Sequence, residues 1–304
     1  MSAQRALIRV PATSANLGPG FDVFGLALDL WNETQFEIRS DISGVQVEIE
    51  GEGQGQLPED ETNLIAETFV DFYRQFGQPL PAGLKISCRN RIPCGSGLGS
   101  SSAAILAGLC GANELLGRIA SPARLLDLAA GLEHHGDNVG PALLGGLVVV
   151  VPSETGWMHL RYDLPPITAV VTVPEFNLPT REARAALPQQ IPFKDAVFNV
   201  GHAVLVMDSL RRGDLTLLAQ AMQDRLHQPY RLKLIPGAQA ALEAALRVDP
   251  AAAVTISGAG PGMIAFSESN AGEIGQEMKA AFEGAGLHAR SWELAVTNRG
   301  AVVP

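Results

Sequence analysis

The run Pro93-Cys94-Gly95-Ser96-Gly97-Leu98-Gly99-Ser100-Ser101-Ser102 leads straight into the small apolar series Ala103, Ala104, Leu106, Ala107 and Cys110. Glycines let backbone N–H groups approach an anion with no Cβ in the way. The free N–H groups at a helix start, with the helix dipole behind them, complete an anion site. The dipole contributes only about 0.3–1 kcal/mol per charge, but here it converges with the glycine backbone and with serine hydroxyls that can also meet a metal ion. A Walker loop would need Gly-Lys-Ser/Thr, and no lysine follows these glycines. A dinucleotide fingerprint would read G-x-G-x-x-G, whereas Gly95, Gly97 and Gly99 are spaced G-x-G-x-G. The plain alternative is a glycine turn capping an ordinary helix.

Two further segments concentrate polar chemistry. Val10-Pro11-Ala12-Thr13-Ser14-Ala15-Asn16-Leu17-Gly18-Pro19-Gly20-Phe21-Asp22 carries an amide and a carboxylate that its Gly-Pro-Gly kink can turn into one cleft, or that simply cap a loop. Glu133-His134-His135-Gly136-Asp137-Asn138-Val139-Gly140-Pro141-Ala142-Leu143-Leu144-Gly145-Gly146 holds two acids and two histidines, without the single-face spacing of a zinc helix and with no cysteine near. Glu133 together with Ser101 offers the oxygen ligands that a hard cation such as magnesium prefers. Near the end, Ser257-Gly258-Ala259-Gly260-Pro261-Gly262 reads as a tight turn between two strands.

These strings, in this order, resemble the signatures of the GHMP kinase superfamily, and P-x-T-S-A-N-L-G-x-G-F-D and E-x-H-x-D-N-V-x-P-A-L-x-G-G resemble those of homoserine kinases within it. The resemblance spans nearly the whole chain. It implies ATP-dependent phosphorylation of the L-homoserine hydroxyl to O-phospho-L-homoserine, a step toward threonine. It implies that Pro93, Gly95, Ser96, Gly97, Leu98, Gly99, Ser100 and Ser101 hold the nucleotide phosphates, with Gly260 beside them and Asn63 bordering the adenine. Glu133 and Ser101 would serve Mg2+, while Asp137 and Asn138 face the substrate, Asp137 contacting it or maintaining loop geometry, with its role as a base left open. Arg184 and Arg231, in T-R-E-A-R and P-Y-R-L-K-L-I-P, resemble the family's carboxylate-binding pair, a role suited to the planar guanidinium fork. Asp22 would take the substrate ammonium and Asn16 its hydroxyl or backbone, with Thr180 as a neighbour. The competing expectations are a GHMP kinase for mevalonate or a sugar alcohol, and a non-catalytic binding protein on the same fold.

Those residues need elements to position them. Val45, Val47 and Ile49, and again Leu84, Ile86 and Cys88, alternate with other residues as half-buried strands do. Ile65, Phe69, Phe72 and Phe76 mark one face of a helix opened by the acidic turn Pro58-Glu59-Asp60-Glu61. In the second half, strands are expected at 147–151, 167–173, 253–256, 263–266 and 289–296, with helices around 197–204, 215–222, 238–245 and 274–282. The order β-α-β-β-α-β with inserted helices suggests a ferredoxin-like sandwich. The boundary is expected near 153–166, where Pro, Gly, Ser and charge interrupt the apolar runs. With the resemblance, the fold class is α+β, a two-domain GHMP kinase fold. Residues 1–158 form an N-terminal ribosomal-protein-S5-like domain with the phosphate loop, and 159–304 a C-terminal ferredoxin-like sandwich.

The bulk composition narrows the partners. The 304 residues are 46% hydrophobic, enough for one large or two smaller cores, and their formal net charge of −10 argues against nucleic-acid or anionic-membrane binding. The three cysteines have no metal-ligand spacing and suit a reducing cytosol. No apolar run approaches the roughly 20 residues needed to cross a bilayer, and the first residues lack the apolar core of a signal peptide. The expectation is a cytoplasmic protein with a small-molecule substrate. The resemblance leaves a homodimer open.

Overall fold

In the computed structural model, which describes residues 4–303, the chain opens with two long antiparallel strands, β1 (Arg5–Ala15) and β2 (Phe24–Ile38). Their register breaks between Pro11 and Ala12, opposite Leu28–Trp31, as expected where a proline supplies no N–H to the ladder. Beyond that point every β1 residue is buried, so the polar Thr13 and Ser14 must find partners inside the protein. Next come β3 (Gly44–Gly51), α1 (Leu64–Gln75) and β4 (Gly83–Asn90), a unit in which β3 and β4 pair in parallel. Asn63 caps α1, its side chain accepting from the Ile65 N–H. Inward-facing Phe69 stacks between Phe36 and Tyr73, at 5.4 and 4.8 Å.

Helix α2 (Ser100–Leu115) crosses this sheet at close range. A Cβ on Gly108 would lie 2.0 Å from Thr68 Oγ1, and one on Gly111 would lie 2.4 Å from the Phe36 ring. The small residues of α2 thus let it sit directly on α1 and β2. The lobe continues through α3 (Pro122–Glu133), α4 (Val139–Leu144), β5 (Leu147–Ser153) and β6 (Gly156–Tyr162). Its sheet runs β3-β4-β2-β5-β6, with β1 on the other side of β2. The stretch 153–166, expected as an interruption between halves, therefore carries β6, an exposed edge strand paired antiparallel with β5. Pro152, Ser153 and Gly156 mark the hairpin rather than a linker.

The second lobe contains β7 (Thr168–Pro174), α5 (Thr180–Ala185), α6 (Phe193–Arg212), α7 (Leu215–Ala221), α8 (Gln228–Arg231), α9 (Ala238–Val248), β8 (Ala253–Ile256), β9 (Met263–Phe266), α10 (Ala271–Gly284) and β10 (Ala289–Ala295). Its antiparallel sheet has the order β10-β7-β9-β8, the ferredoxin-like arrangement the element order suggested. Residues 296–302 then return to the first lobe. Leu28 bridges to Val296, and Arg9 and Val302 exchange both backbone bonds at 2.9 Å. Among the described residues, no helix is long and apolar enough to cross a membrane.

Candidate active site

Three sequence segments far apart in the chain are stitched into one floor. The Thr13 N–H donates to Leu98 O (3.1 Å), the Gly258 N–H to Ala15 O (3.1 Å), and the Gly262 N–H to Ser96 O (3.1 Å). The Ser257 hydroxyl donates to Gly97 O (2.7 Å) and lies 2.9 Å from the Ser14 hydroxyl. These contacts explain the glycines. Gly97 has φ +80°, and a Cβ there would stand 2.2 Å from Ser257 O. Gly99, the left-handed residue that starts α2, has room for no Cβ beside Thr13 Oγ1, 2.1 Å away.

Above this floor is a cavity of about 500 Å3. Gly95, Ser96, Gly97, Gly99, Ser100 and Ser101 line it, and so does Gly260. Pro93 and Leu98 do not: Leu98 is fully buried and contributes its carbonyl to the floor. The Ser96 hydroxyl is engaged inside the loop, donating to Pro93 O (2.7 Å). Ser101 is exposed, whereas buried Ser102 donates to Glu133 Oε1 (3.2 Å). Beyond the loop the cavity is walled by apolar groups of α1, α2 and β3, including Ile49, Ile65, Ala103 and Ala107. Asn63 borders this part, but both ends of its amide are committed, to Pro58 O (2.7 Å) and the Ile65 N–H (3.0 Å).

The acidic side is built from the end of α3 and the turn into α4. His135 bridges two carboxylates, with Nδ1 2.8 Å from Asp137 Oδ1 and Nε2 3.4 Å from Glu133 Oε2. Burial works against its protonation, but the hydrogen bond and charge of Asp137, with Glu133 and Asp22 behind it, outweigh that and raise its pKa above the ordinary imidazole value. Asp137 is buried, and its Oδ1 also accepts from the Asn138 N–H (3.0 Å). Thr13 Oγ1 donates to Asn138 Oδ1 (2.8 Å), which leaves the Asn138 amide NH2 as the end available to a ligand. Glu133, Asp137 and Asn138 all line the cavity. Among the described residues no group of three or more His, Cys, Asp or Glu side chains could hold a metal ion unaided.

The remaining wall is cationic. Arg184 of α5 pairs with Asp22 through two bonds of 2.6 and 2.9 Å, and its pKa is raised chiefly by that hydrogen bonding. Asp22 itself sits at φ +56°, at the end of a loop in which Asn16, Leu17 and Gly18 are also left-handed. Asn16 organises this loop: its Nδ2 donates to Gly258 O (2.7 Å), and its Oδ1 accepts from the Asp22 N–H (2.9 Å). Arg231, at the end of α8, is 1% exposed. Among the described residues its guanidinium reaches only neutral acceptors, Ala183 O (3.4 Å), Gly258 O (3.3 Å) and His227 Nδ1 (3.4 Å). Burial pushes its pKa down to about 10. Both guanidinium carbons lie over the Phe21 ring, at 5.6 and 5.0 Å. Thr180, the first residue of α5, lines the same cavity with Asn16, Asp22, Arg184 and Arg231.

Sequence reasoning passed over Thr13, Phe21, His227 and Asp224. Thr13 and Phe21 stand inside the N-terminal string, where an eye for charge skips them. His227 precedes Arg231 by four residues, the spacing at which helical side chains meet.

A family model described as "GHMP kinases N terminal domain" matches residues 63–146, and one described as "GHMP kinases C terminal" matches 206–284. The chain is 44% identical to a homoserine kinase of Moorella thermoacetica over 98% of its own length and 99% of the relative's. It is 43% identical to a homoserine kinase of Synechococcus sp., covering 97% of each chain. The crystal structure of a homoserine kinase from Cytophaga hutchinsonii superimposes with a TM-score of 0.87 at 32% identity, covering 100% of this chain and 98% of that one.

Proposed function

The chain belongs to the homoserine kinases of the GHMP kinase family, and we propose that it transfers the γ-phosphoryl group of ATP to the side-chain hydroxyl of L-homoserine, giving O-phospho-L-homoserine and ADP. The observation that carries this reading is one cavity lined both by the glycine loop at the α2 N-terminus and by Asp22, Arg184 and the unpaired, buried Arg231. A phosphate-binding backbone and an amino-acid-shaped set of charges share one space. Mevalonate and sugar alcohols bring no ammonium to meet Asp22.

In this reading Gly95, Gly97, Gly99, Ser100 and Ser101 cradle the phosphates at the α2 N-terminus, Ser96 shapes the loop from within, and the apolar wall near Asn63 takes the adenine. Arg231 and Arg184 take the substrate carboxylate, and Asp22 takes the ammonium. Asn16 holds the Asp22 loop in place. The Asn138 NH2, oriented by Thr13, faces the attacking hydroxyl. Asp137 fixes the turn through His135 and the Asn138 N–H. Phosphoryl transfer depends mainly on positioning and charge stabilisation, so we assign no dedicated base.

The donor set fits a magnesium ion arriving with the nucleotide. Glu133 and Ser101, which carry oxygen donors, line the cavity with the loop, and Mg2+ commonly takes one or two protein oxygens, substrate phosphates and waters. Glu133 and Ser101 would hold it there. Bound, it would neutralise charge on the β- and γ-phosphates.

We place the division between the lobes in the gap between Tyr162 and Thr168. The free thiols of Cys88, Cys94 and Cys110 agree with a cytosolic location. A homodimer is our reading of the assembly, supported by Phe193, Val197, Val200 and Val204, exposed at helical spacing on α6. The direct test is ADP release with Mg-ATP and a panel of L-homoserine, mevalonate, galactose and no acceptor. Turnover confined to L-homoserine is expected. Turnover with another acceptor, or with none of them, overturns the assignment.

A further inference from the structure

Below the cationic wall lies a buried cluster that none of the roles above employs. His227 is fully buried, with its ring stacked on Phe21 at 5.2 Å and 25°. Its Nε2 is 2.8 Å from Gly18 O. A carbonyl only accepts, so Nε2 carries the hydrogen and, in the neutral ring, Nδ1 presents a lone pair. That lone pair faces Arg231 Nη1 at 3.4 Å.

The neighbouring carboxylate does not disturb this arrangement. Asp224 Oδ2 stands 3.7 Å from the ring, but the carboxylate is already saturated. It accepts from Asn199 Nδ2 (2.6 Å) and from the N–H groups of Leu226 (3.0 Å), His227 (2.8 Å) and Gln228 (2.7 Å). Burial is the largest influence on the ring and keeps its proton affinity below that of an ordinary imidazole; Asp224 pulls the other way, and Arg231 adds to the lowering.

We propose that His227 is a positioning residue for recognition of the substrate carboxylate: its neutral Nδ1 aims the Arg231 guanidinium, while its Nε2–H ties that arginine to the loop carrying Phe21 and Asp22. The choice of a neutral acceptor matters. A carboxylate at this place would pair with Arg231 and compete with the ligand, because charge-assisted pairs are about twice as strong as neutral ones. The other two acceptors of Arg231 are backbone carbonyls and Phe21 offers only its ring face, so among the described residues His227 is the side-chain hydrogen-bond acceptor that sets the guanidinium's direction without cancelling its charge. Because the same ring holds Gly18, the carboxylate and ammonium subsites keep a fixed separation. This inference rests on the reading that Arg231 takes the substrate carboxylate.

Two amide substitutions separate the two ends of the ring. His227→Asn places an amide oxygen near the Nδ1 position, keeping the acceptor for Arg231 and losing the bond to Gly18. His227→Gln places an NH2 near the Nε2 position, keeping Gly18 and losing the acceptor. The expected result is a rise of about tenfold or more in KM for L-homoserine in His227→Gln. The rise in His227→Asn is smaller, and kcat and KM for ATP stay close to the parent values in both. In the double variant with Arg231→Met, His227→Gln adds nothing further to the loss already caused by Arg231→Met. A larger effect in His227→Asn, equal effects in the two, or additive losses in the double variant would overturn the proposal. An unchanged KM for L-homoserine in Arg231→Met alone would instead refute the reading on which it rests. A loss of ATP affinity together with a lowered unfolding midpoint would mark the ring as merely structural.

Discussion

Replacing Arg231 by methionine should make the free protein more stable and at the same time nearly blind to its amino-acid substrate. The guanidinium is 1% exposed and, among the described residues, meets no carboxylate, only three neutral acceptors at 3.3–3.4 Å. Burial holds its pKa well below the ordinary guanidinium value, at about 10, which at 1.36 kcal/mol per pKa unit disfavours the buried charge by about 3 kcal/mol. Methionine fills similar volume without a charge to desolvate, and replacing buried ionic groups with apolar ones of like size is often neutral or stabilising. The weak hydrogen bonds lost offset part of that gain, so about 3 kcal/mol is its upper bound. This corresponds to a Tm rise of a few degrees at most. The cost appears when substrate arrives, since truncating one partner of a buried charge pair loses about 2–5 kcal/mol. Thermal unfolding with and without L-homoserine, beside steady-state kinetics, reads both effects. The variant should melt no lower than the parent when free, gain little from L-homoserine, and lose tens- to thousands-fold in kcat/KM. A variant that melts well below the parent and retains its kinetics would refute the reasoning and make Arg231 a structural cation.

Other substitutions test the rest of the site. Gly97→Ala combines a left-handed backbone, costing about 1–2 kcal/mol, with a Cβ 2.2 Å from Ser257 O; KM for ATP should rise at least tenfold and the unfolding midpoint should fall. Gly95→Ala has the same backbone strain, but its nearest neighbour, Asn177 Oδ1, is 3.5 Å away, so equal damage in the two would count against the steric argument. Glu133→Gln should raise the Mg2+ concentration needed for half-maximal turnover about tenfold while moving KM for L-homoserine less, and the opposite pattern would argue against a metal role. Asp137→Asn keeps an acceptor for His135 and the Asn138 N–H, so kcat should fall less than about tenfold. A fall in the 10²–10⁴ range typical of a lost general base would restore that role to Asp137.

What the sequence made legible followed the strength of its periodic and punctuating signals. The α1 helix was readable because Ile65, Phe69 and Phe72 repeat on one face behind an acidic turn that suits a helix start, although the cap itself, Asn63, was read as a neighbour of the nucleotide. The crowded face of α2 was readable because only small residues could serve there. In strands β1 and β2, residues 5–10 and 32–36 do alternate and were legible, but the motif between them drew the attention. Residues 12–15 and 24–28 escaped because burial on both sides removes the alternation on which strand reading depends, and because the Thr13-Ser14 pair looks like loop chemistry until its partners are known. Strand β6 escaped for the opposite reason: on an exposed edge, polar residues and glycine imitate a linker. In the site, charged residues drew attention and came together as expected. Their supports did not stand out, since the roles of Thr13 and His227 lie in geometry that only the folded chain provides. The amides of Asn16 and Asn63 point the same way: each was expected near a ligand, and each directs its hydrogen bonds into the protein.

The return of residues 296–302 to the first lobe has a consequence for how the molecule comes into being. The Ala301 N–H bonds Ala142 O, and the Gly146 N–H bonds Thr297 O. A Cβ on Gly300 would stand 2.1 Å from Leu143 O. The segment around α4, which bears Asp137 and Asn138 at its start, is therefore clamped by the part of the chain synthesised long after it. A ribosome-bound chain that has emerged only through Tyr162 holds every strand of the first sheet and still lacks this clamp. Closing a loop of that length carries an entropic cost before any contact rewards it. Catalytic competence is then a late event, reached when the second lobe has folded and brought residues 296–302 back to β1 and β2.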